Sequence, residues 1–253
     1  MKIVACYKNT PDFESLRLQP GEEPDVSAAP LAIGQYDLNA VEAAMQLAQL
    51  APGSEVIALT AAGAAADSTK QRKAILSRGP DRLVVVKDEA FDGADSFVTA
   101  SALAAAIERI GGVDLVLFGE GSADMYAQQV GCMVGALLGW RELNSVSELG
   151  LDGGALTVRR ELADRSETYR LSLPAVISVT SSINRPRIPS MKDILGAGKK
   201  GVEVIDCAGL AADSRVETLG LRAPEAAERK GRVFQSVTDE AIEALALEIR
   251  RQM

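Results

Sequence analysis

The chain has 253 residues, a length that fits one large α/β domain or one such domain with an appendage. It contains no histidine, which excludes Ser-His-Asp and Cys-His catalysis, HExxH metalloproteases and most zinc sites. The formal net charge of −8 argues against a surface for nucleic acid or anionic membranes. Three widely spaced cysteines without a CxxC motif indicate free thiols in a reducing compartment, and no apolar run reaches the length of a membrane span. We therefore expect a cytoplasmic protein that holds no metal.

The first 140 residues alternate short apolar runs with helical apolar patterns. Buried strands are predicted at Lys2–Tyr7, Glu55–Thr60, Arg82–Val86 and Asp114–Phe118. Helices are predicted from near Leu38 up to Pro52, from about Ala64 to Leu76, from Ser96 to Ile110, and after Gln129. Asp37 is expected to be the N-cap of the first helix, and residues 13–33 to form an extended excursion with a small hairpin. Repeated strand–helix units predict an α/β fold with a doubly wound, mostly parallel sheet and right-handed crossovers.

After Trp140 the pattern changes. Residues 155–162 and 167–173 alternate apolar with polar side chains, which predicts an antiparallel addition to the sheet. The remaining predicted elements are a strand at Pro174–Val179, a short helix at Met191–Leu195, a strand at Val202–Ile205, an extended C-terminal arm over 206–236 and a helix at Asp239–Arg250. We therefore divide the chain into a nucleotide-binding α/β domain (1–205) and a C-terminal arm and helix (206–253). The arm is expected to wrap a partner, with a disordered tail as the alternative.

Small and polar residues follow three of the predicted strands, at Cys6–Asn9, Thr60–Gly63 and Gly119–Gln129. Ligands of doubly wound sheets bind beyond the carboxyl ends of the strands, so these segments predict one cleft suited to a nucleotide. The third segment matches GxGxxG poorly, and no GxxxxGK[ST] motif exists, which excludes P-loop chemistry. Glu120 and Asp124 could be paired carboxylates, but they have no partner base, and we expect no catalytic residue.

Several segments, in order over nearly the whole chain, resemble the beta subunit of electron transfer flavoproteins, particularly its FixA-like branch. The segments are KIVACYKNTPD, IGQYDLNAVEAA, LSRGPDRLVVV, GEGSADMYAQQVG and LPAVISVTSSINRPRIPSMKDILGAGKK. The resemblance implies the adenine nucleotide alpha hydrolase-like form of the fold. It also implies a heterodimer with an alpha subunit that holds FAD, through which electrons pass from a donor dehydrogenase to an acceptor oxidoreductase. The chain itself would hold AMP or a second FAD and would have no bond-making active site.

The resemblance also assigns residues. Met191 matches the apolar residue of the family's partner-recognition loop. The positions that match the family's nucleotide contacts are Cys6, Gly34, Gln35, Tyr36, Asp37, Ala61, Gly119, Glu120, Gly121, Ser122, Ala123, Asp124, Met125, Tyr126, Ala127, Gln128, Gln129 and Val130.

The chain departs from the family pattern at three places. Gly34-Gln35-Tyr36 stands where members commonly have Asn-Pro-Phe, and Asp124-Met125-Tyr126 stands where AMP-binding members have three aspartates. Val130 replaces a threonine on the phosphate side, so backbone N–H groups of 127–130 would carry more of the phosphate binding. The choice between AMP and FAD stays open. A stand-alone adenine-nucleotide-binding regulator of the universal-stress type is the alternative function, and a nucleotide-dependent hydrolase is disfavoured by the absent motifs.

Overall fold

A computed structural model describes residues 1–16, 19, 21–26, 29–206, 212–225 and 231–251. The chain divides into two compact units. The larger unit comprises Met1–Leu16 and Asp25–Leu219, and the smaller one Arg17–Pro24 and Gly220–Met253. The division into a nucleotide-binding domain at 1–205 and a partner-wrapping arm at 206–253 concerns function and stays a prediction.

Nine strands of the larger unit form one sheet: β1 (Lys2–Cys6), β4 (Glu55–Ala62), β5 (Arg82–Lys87), β6 (Leu115–Gly119), β7 (Arg141–Asp152), β8 (Ala155–Glu161), β9 (Ser166–Leu171), β10 (Ala175–Val179) and β11 (Gly201–Asp206). Their order in the sheet is β11-β5-β4-β1-β6-β10-β7-β8-β9. All neighbours are parallel except β7–β8 and β8–β9, which are antiparallel. Two further strands, β2 (Asn9–Pro11) and β3 (Leu31–Ile33), form a separate antiparallel pair. The predicted fold class and the antiparallel addition are confirmed.

Helices cover both faces of the sheet, as a doubly wound architecture requires. The helices of the larger unit are α1 (Gln35–Leu50), α2 (Thr69–Leu76), α3 (Ser96–Ile110), α4 (Val130–Leu138) and α5 (Met191–Ala197). The smaller unit contains α6 (Asp239–Arg250). Buried residues of α1, α2 and α5 pack on one face of the sheet, and those of α3 and α4 on the other. Aliphatic side chains dominate both cores, consistent with a composition in which only 4% of residues are aromatic.

The strand order reverses between β1 and β6. From β1 the chain passes through α1 to β4 on one side, whereas β5 returns through α3 to β6 on the other side of β1. In an open α/β sheet such a reversal leaves a crevice beyond the carboxyl ends of the two central strands. This crevice is where the predicted nucleotide segments should meet.

The described residues between β11 and α6 have no regular secondary structure. Residues 212–225 and 231–236, as far as the structure describes this arm, contain no helix or strand, in agreement with the expected extended arm; residues 207–211 and 226–230 lie outside the described part. Within the larger unit, the arm is attached to the N-terminus of α3. Asp95 caps that helix through the N–H of Val98 and also accepts hydrogen bonds from the backbone N–H groups of Arg215 (2.8 Å) and Val216 (3.2 Å).

Candidate functional site

The three predicted segments lie side by side at one edge of the sheet. β1 pairs with β4 on one side, with Cys6 opposite Leu59, and with β6 on the other, with Ala5 opposite Leu117. Because all three strands are parallel, the loops that follow them leave the sheet at the same edge. The structure therefore brings together the predicted positions on β1, β4 and β6 and in the loops that follow them.

The first turn of α1 joins this edge, but the helix starts earlier than the sequence predicted. It begins at Gln35 with Gly34 as N-cap, and the expectation that Asp37 caps the helix is wrong. Gly34 is fixed by a hydrogen bond from its N–H to the carbonyl oxygen of Lys8 (2.9 Å). Asp37 thus lies inside the first turn, where its carboxylate points to neighbouring loops instead of back to its own helix.

Asp37 connects the ends of β1 and β6. Its side chain is only 7% exposed and accepts hydrogen bonds from the backbone N–H of Lys8 (2.8 Å) and from that of Gly119. Burial raises the pKa of Asp37 to about 7, while the two N–H groups and the charge of Lys8 limit the rise. Burial, followed by the charge of Asp37, also raises the pKa of the neighbouring Cys6 thiol well above its usual value. The carboxyl group of Asp37 therefore connects two loops of the crevice, and its pKa lies close to neutral pH.

Gly119 is required by the close approach of α1 to the end of β6. A Cβ atom at this position would lie 2.6 Å from the carbonyl carbon of Tyr36 and 2.8 Å from the backbone nitrogen of Asp37. Backbone atoms cannot rotate away as a side chain can, so glycine alone fits here. The assignment of Gly119 to the nucleotide site stays a prediction, and the structure adds its close contact with the first turn of α1.

The loop after β6 is held to the loop after β1 by an ion pair. The ammonium group of Lys8 lies 2.5 Å from a carboxylate oxygen of Asp124. Burial opposes ionisation of Asp124, but hydrogen bonds from Lys8 and Ser122 and the charge of Lys8 prevail, and its pKa lies below the usual value. Asp124 also accepts a hydrogen bond from the N–H of Met125 (2.8 Å), which fixes the next residue of the loop. The predicted cleft segment Cys6–Asn9 contains Lys8, but its ion pair with Asp124 was not predicted.

Tyr126 and Gln128 adopt a backbone conformation that is unusual for residues other than glycine. Their φ angles are +46° and +57°. The left-handed region costs roughly 1–2 kcal/mol per residue for L-amino acids, and such strain concentrates at functional sites. The ring of Tyr126 lies 5.3 Å from that of Tyr36, tilted by 47°, and it fills the space that a Cβ atom on Gly121 would need. The strained turn thus brings the ring of Tyr126 beside that of Tyr36, which belongs to the first turn of α1.

The N-terminus of α4 supplies hydrogen-bond donors at the same edge. Its first-turn N–H groups have no partner within the helix, and the N-cap, Gln129, makes no side-chain capping bond. The helix is pressed onto β10 at Gly131, where a Cβ atom would collide with the hydroxyl of Ser178. Unpaired N–H groups and the helix dipole attract anions, a phosphate in particular.

The donor chemistry of this edge fits an adenine nucleotide. Backbone N–H groups at the start of α4 suit a phosphate, and the rings of Tyr36 and Tyr126 suit a purine or flavin ring. Where a flavin is bound it supplies the redox chemistry, and the protein contributes binding, orientation and electrostatics. Within the described ranges, no group of three or more His, Cys, Asp or Glu side chains could hold a metal ion.

Met191 lies elsewhere, at the start of α5. It is 73% exposed, and Ile188 and Leu195 beside it are 92% and 72% exposed. The segment that carries them is fixed by Arg187, whose guanidinium donates to both carboxylate oxygens of the buried Glu42 (2.6 and 3.0 Å). Sequence reasoning missed Glu42, because nothing local indicates a partner 145 residues away.

The model of the electron transfer flavoprotein domain matches residues 26–209, well over half of the chain. The chain belongs to the electron transfer flavoprotein domain family. The matched region contains all the predicted site positions except Cys6, which precedes it. Proteins of the electron transfer flavoprotein family carry electrons rather than catalyse bond making, and membership supports flavin-based electron transport and redox partners in general. It gives no support to the alternative of a stand-alone regulator.

None of the helices in the described residues has the length and apolar character needed to cross a bilayer.

Proposed function

We propose that this protein is the beta subunit of an electron transfer flavoprotein of the FixA-like branch and that it forms a heterodimer with an alpha subunit. In the heterodimer, electrons pass through FAD from a donor dehydrogenase to an acceptor oxidoreductase. The observation that carries the proposal is that β1, β4 and β6 end at one edge, where the ends of β1 and β6 meet the first turn of α1 and the loop after β6 leads into α4. These are the positions that the resemblance to beta subunits assigns to a nucleotide.

We further propose that this crevice holds AMP or a second FAD. The aromatic pair Tyr36 and Tyr126 would contact a ring of the ligand, and backbone N–H groups from Ala127 to Val130 would bind its phosphate. The chain offers few side-chain donors on the phosphate side, since Val130 stands at the start of α4. Both ligands share the adenosine and phosphate that these groups would recognise.

Met191 is proposed as the contact with the donor dehydrogenase. A methionine that is 73% exposed on a short helix is free to enter an apolar pocket of a transient partner. The helix is well defined, because Ser190 and Asp193 form a reciprocal capping box and Lys200 donates to three carbonyl oxygens, those of Leu76, Gly79 and Pro80. An exposed apolar side chain on a helix that is already ordered loses less conformational entropy when a partner binds it.

The test is co-purification with the alpha subunit, followed by release and identification of the bound nucleotides and their stoichiometry. We expect FAD in the complex and one AMP or a second FAD per heterodimer. Gly121→Val should abolish retention of the nucleotide of this crevice, because the branched side chain displaces Tyr126 and intrudes on the ligand. Gln129→Ala should weaken binding by about 1 kcal/mol, the usual value of one hydrogen bond.

The matched control is Gln49→Ala, because Gln49 is exposed near the far end of α1, away from the carboxyl edge of the sheet. It should leave retention and the thermal shift caused by AMP or FAD unchanged. A parent protein that carries no nucleotide after purification with its partner, and shows no thermal shift with AMP, ADP or FAD, would contradict the site assignment.

A further inference from the structure

The side chain of Asp37 is hydrogen-bonded to both the loop after β1 and the end of β6. It lies at the point where the strand order reverses, and its carboxylate receives the N–H of Lys8 from the loop after β1 and that of Gly119 from the end of β6. The first turn of α1 holds it there, because Gly119 packs directly on the backbone of Tyr36 and Asp37. The hydrogen bonds to Asp37 therefore link the same two loops that the ion pair of Lys8 with Asp124 also joins.

These hydrogen bonds depend on the ionisation of the carboxyl group. A carboxylate has only acceptors, so it can receive both N–H groups. A protonated carboxyl carries an O–H donor on one oxygen, and that oxygen is a much poorer acceptor for the N–H that faces it. Protonation of Asp37 thus weakens one of the two ties.

Three other titratable groups face Asp37, namely Cys6, Lys8 and Asp124. Cys6 faces it from β1 and stays a neutral thiol, because burial raises its pKa well above the usual value. Lys8 and Asp124 face it from the loops after β1 and β6, and their charges offset each other as an ion pair. Burial raises the pKa of Asp37 itself to about 7, within the neutral range.

We propose that Asp37 is a positioning residue whose ionised carboxylate ties the loop after β1 to the end of β6, so that the affinity of the crevice for an adenine nucleoside or nucleotide increases as Asp37 loses its proton. The inference rests on the proposed function, since it concerns the same crevice. Asp37 acts through the two loops, and no direct contact with the ligand is needed. Binding of a nucleotide would then respond to pH within the range in which cells work.

Calorimetric titration of the full chain with adenosine between pH 5.5 and 8.5 tests the proposal. Adenosine is the probe because the phosphate of AMP would itself titrate at about pH 6. We expect the affinity of the parent to rise about tenfold from pH 5.5 to 8.5, the effect of losing or gaining one charge-assisted hydrogen bond. Asp37→Asn, which cannot accept both N–H groups, should bind at pH 8.5 as weakly as the parent does at pH 5.5, without dependence on pH.

Amide chemical shifts of the parent, measured by NMR, provide a readout that does not require the variant to fold. The amide protons of Lys8 and Gly119 should shift downfield as the pH rises through 7, because a carboxylate is a stronger acceptor than a protonated carboxyl, while that of Leu117, within β6, stays constant. An adenosine affinity that is flat, or that rises toward low pH, overturns the inference and leaves the proposed function intact. Absence of any binding of adenosine, AMP or FAD overturns the proposed function first, and the inference with it.

Discussion

Two buried acidic residues of α1 hold distant parts of the chain together. Asp37 receives backbone N–H groups from the ends of β1 and β6, and Glu42, 7% exposed, receives the guanidinium of Arg187. A buried carboxylate is costly unless it is paired or hydrogen-bonded, so both positions are specified by their partners. The family resemblance assigns Asp37 to the nucleotide site, and that assignment stays a prediction. The N-cap predicted for Asp37 is wrong, because the sequence at a helix start looks the same whether or not its acid caps the helix.

At Gly119 the structure predicts a loss of stability on the smallest substitution. Gly119→Ala should lower the free energy of unfolding by about 1–3 kcal/mol, because the added carbon overlaps backbone atoms of Tyr36 and Asp37. Urea denaturation measures the change as a shift of the midpoint. Gly196→Ala is the matched control, since no atom lies within 4 Å of a Cβ atom at that helical position, and it should be neutral or slightly stabilising. Equal stabilities of the two variants would contradict the close packing of α1 on β6.

The free energy of unfolding should depend on pH because of Asp37. Its pKa is raised by burial to about 7 in the folded state, against about 4 in an unfolded chain. The folded state therefore binds more protons than the unfolded state between these values, and the contribution of Asp37 to stability is lost as the pH rises toward 7.

The melting temperature of the parent minus that of Asp37→Asn should accordingly be largest near the low end of a series from pH 4.5 to 8.5 and should fall as the pH rises. Thermal denaturation of both proteins in the same buffers gives this difference directly. A difference that grows with pH would show that the carboxyl group has a lowered pKa in the folded protein.

At the scale of elements, the sequence predicted the parallel half of the fold better than the antiparallel half. The predicted helices Ser96–Ile110 and Asp239–Arg250 agree with α3 and α6, and the buried strands differ from prediction by one or two residues at their ends. β7 was missed altogether. A bulge between Val146 and Glu148 and a positive φ at Ser145 interrupt its alternation, so its twelve residues carry no clear period of two.

The contacts at the crevice were less predictable than its location. Three strand ends with small or polar residues were enough to place the edge, because parallel strands end together. The ion pair of Lys8 with Asp124 and the strained conformation of Tyr126 depend on how two loops from different parts of the chain meet. No local sequence pattern predicts contacts between two distant loops, so only the structure reveals them.

Substitution of Met191 tests whether α5 recognises the donor dehydrogenase. Met191→Ala should slow electron transfer from the donor dehydrogenase several-fold, since truncating an interface anchor typically costs about 1 kcal/mol or more. The melting temperature should hardly change, because 73% of the residue is exposed and little packing is lost.

Stopped-flow reduction of the heterodimer by the donor measures the rate. Leu50→Ala is the control, an apolar residue 63% exposed at the end of α1, and should affect neither property. A large loss of stability with an unchanged rate would assign Met191 to packing within its own subunit.

At the scale of the whole molecule, the chain exposes apolar surface that a partner would cover. In the smaller unit, α6 has no buried residue, and four of its apolar side chains are between 43% and 55% exposed: Ile242, Leu245, Leu247 and Ile249. In the larger unit, residues 212–219 contain no helix or strand, and Asp95 accepts hydrogen bonds from the backbone of Arg215 and Val216. An amphipathic helix that leaves its apolar side in water is typical of a segment that binds another chain.

The chain expressed alone should therefore be nearly colourless and should self-associate. The proposed heterodimer places the stable flavin on the alpha subunit, so the isolated chain should lack the flavin absorbance at about 450 nm that the cofactor brings with it.

Self-association would follow from the exposed apolar side of α6. Replacing Leu245 and Ile249 by serine should reduce the self-association without altering the fold of the larger unit. Absorbance spectra and light scattering of the isolated chain, and of the chain co-expressed with an alpha subunit, provide the measurements. Co-expression should restore the yellow colour and give a single heterodimer. A full equivalent of FAD on the isolated chain would instead show that the crevice between β1 and β6 is itself a tight flavin site, and a chain that stays monomeric alone would remove α6 as the partner-binding element.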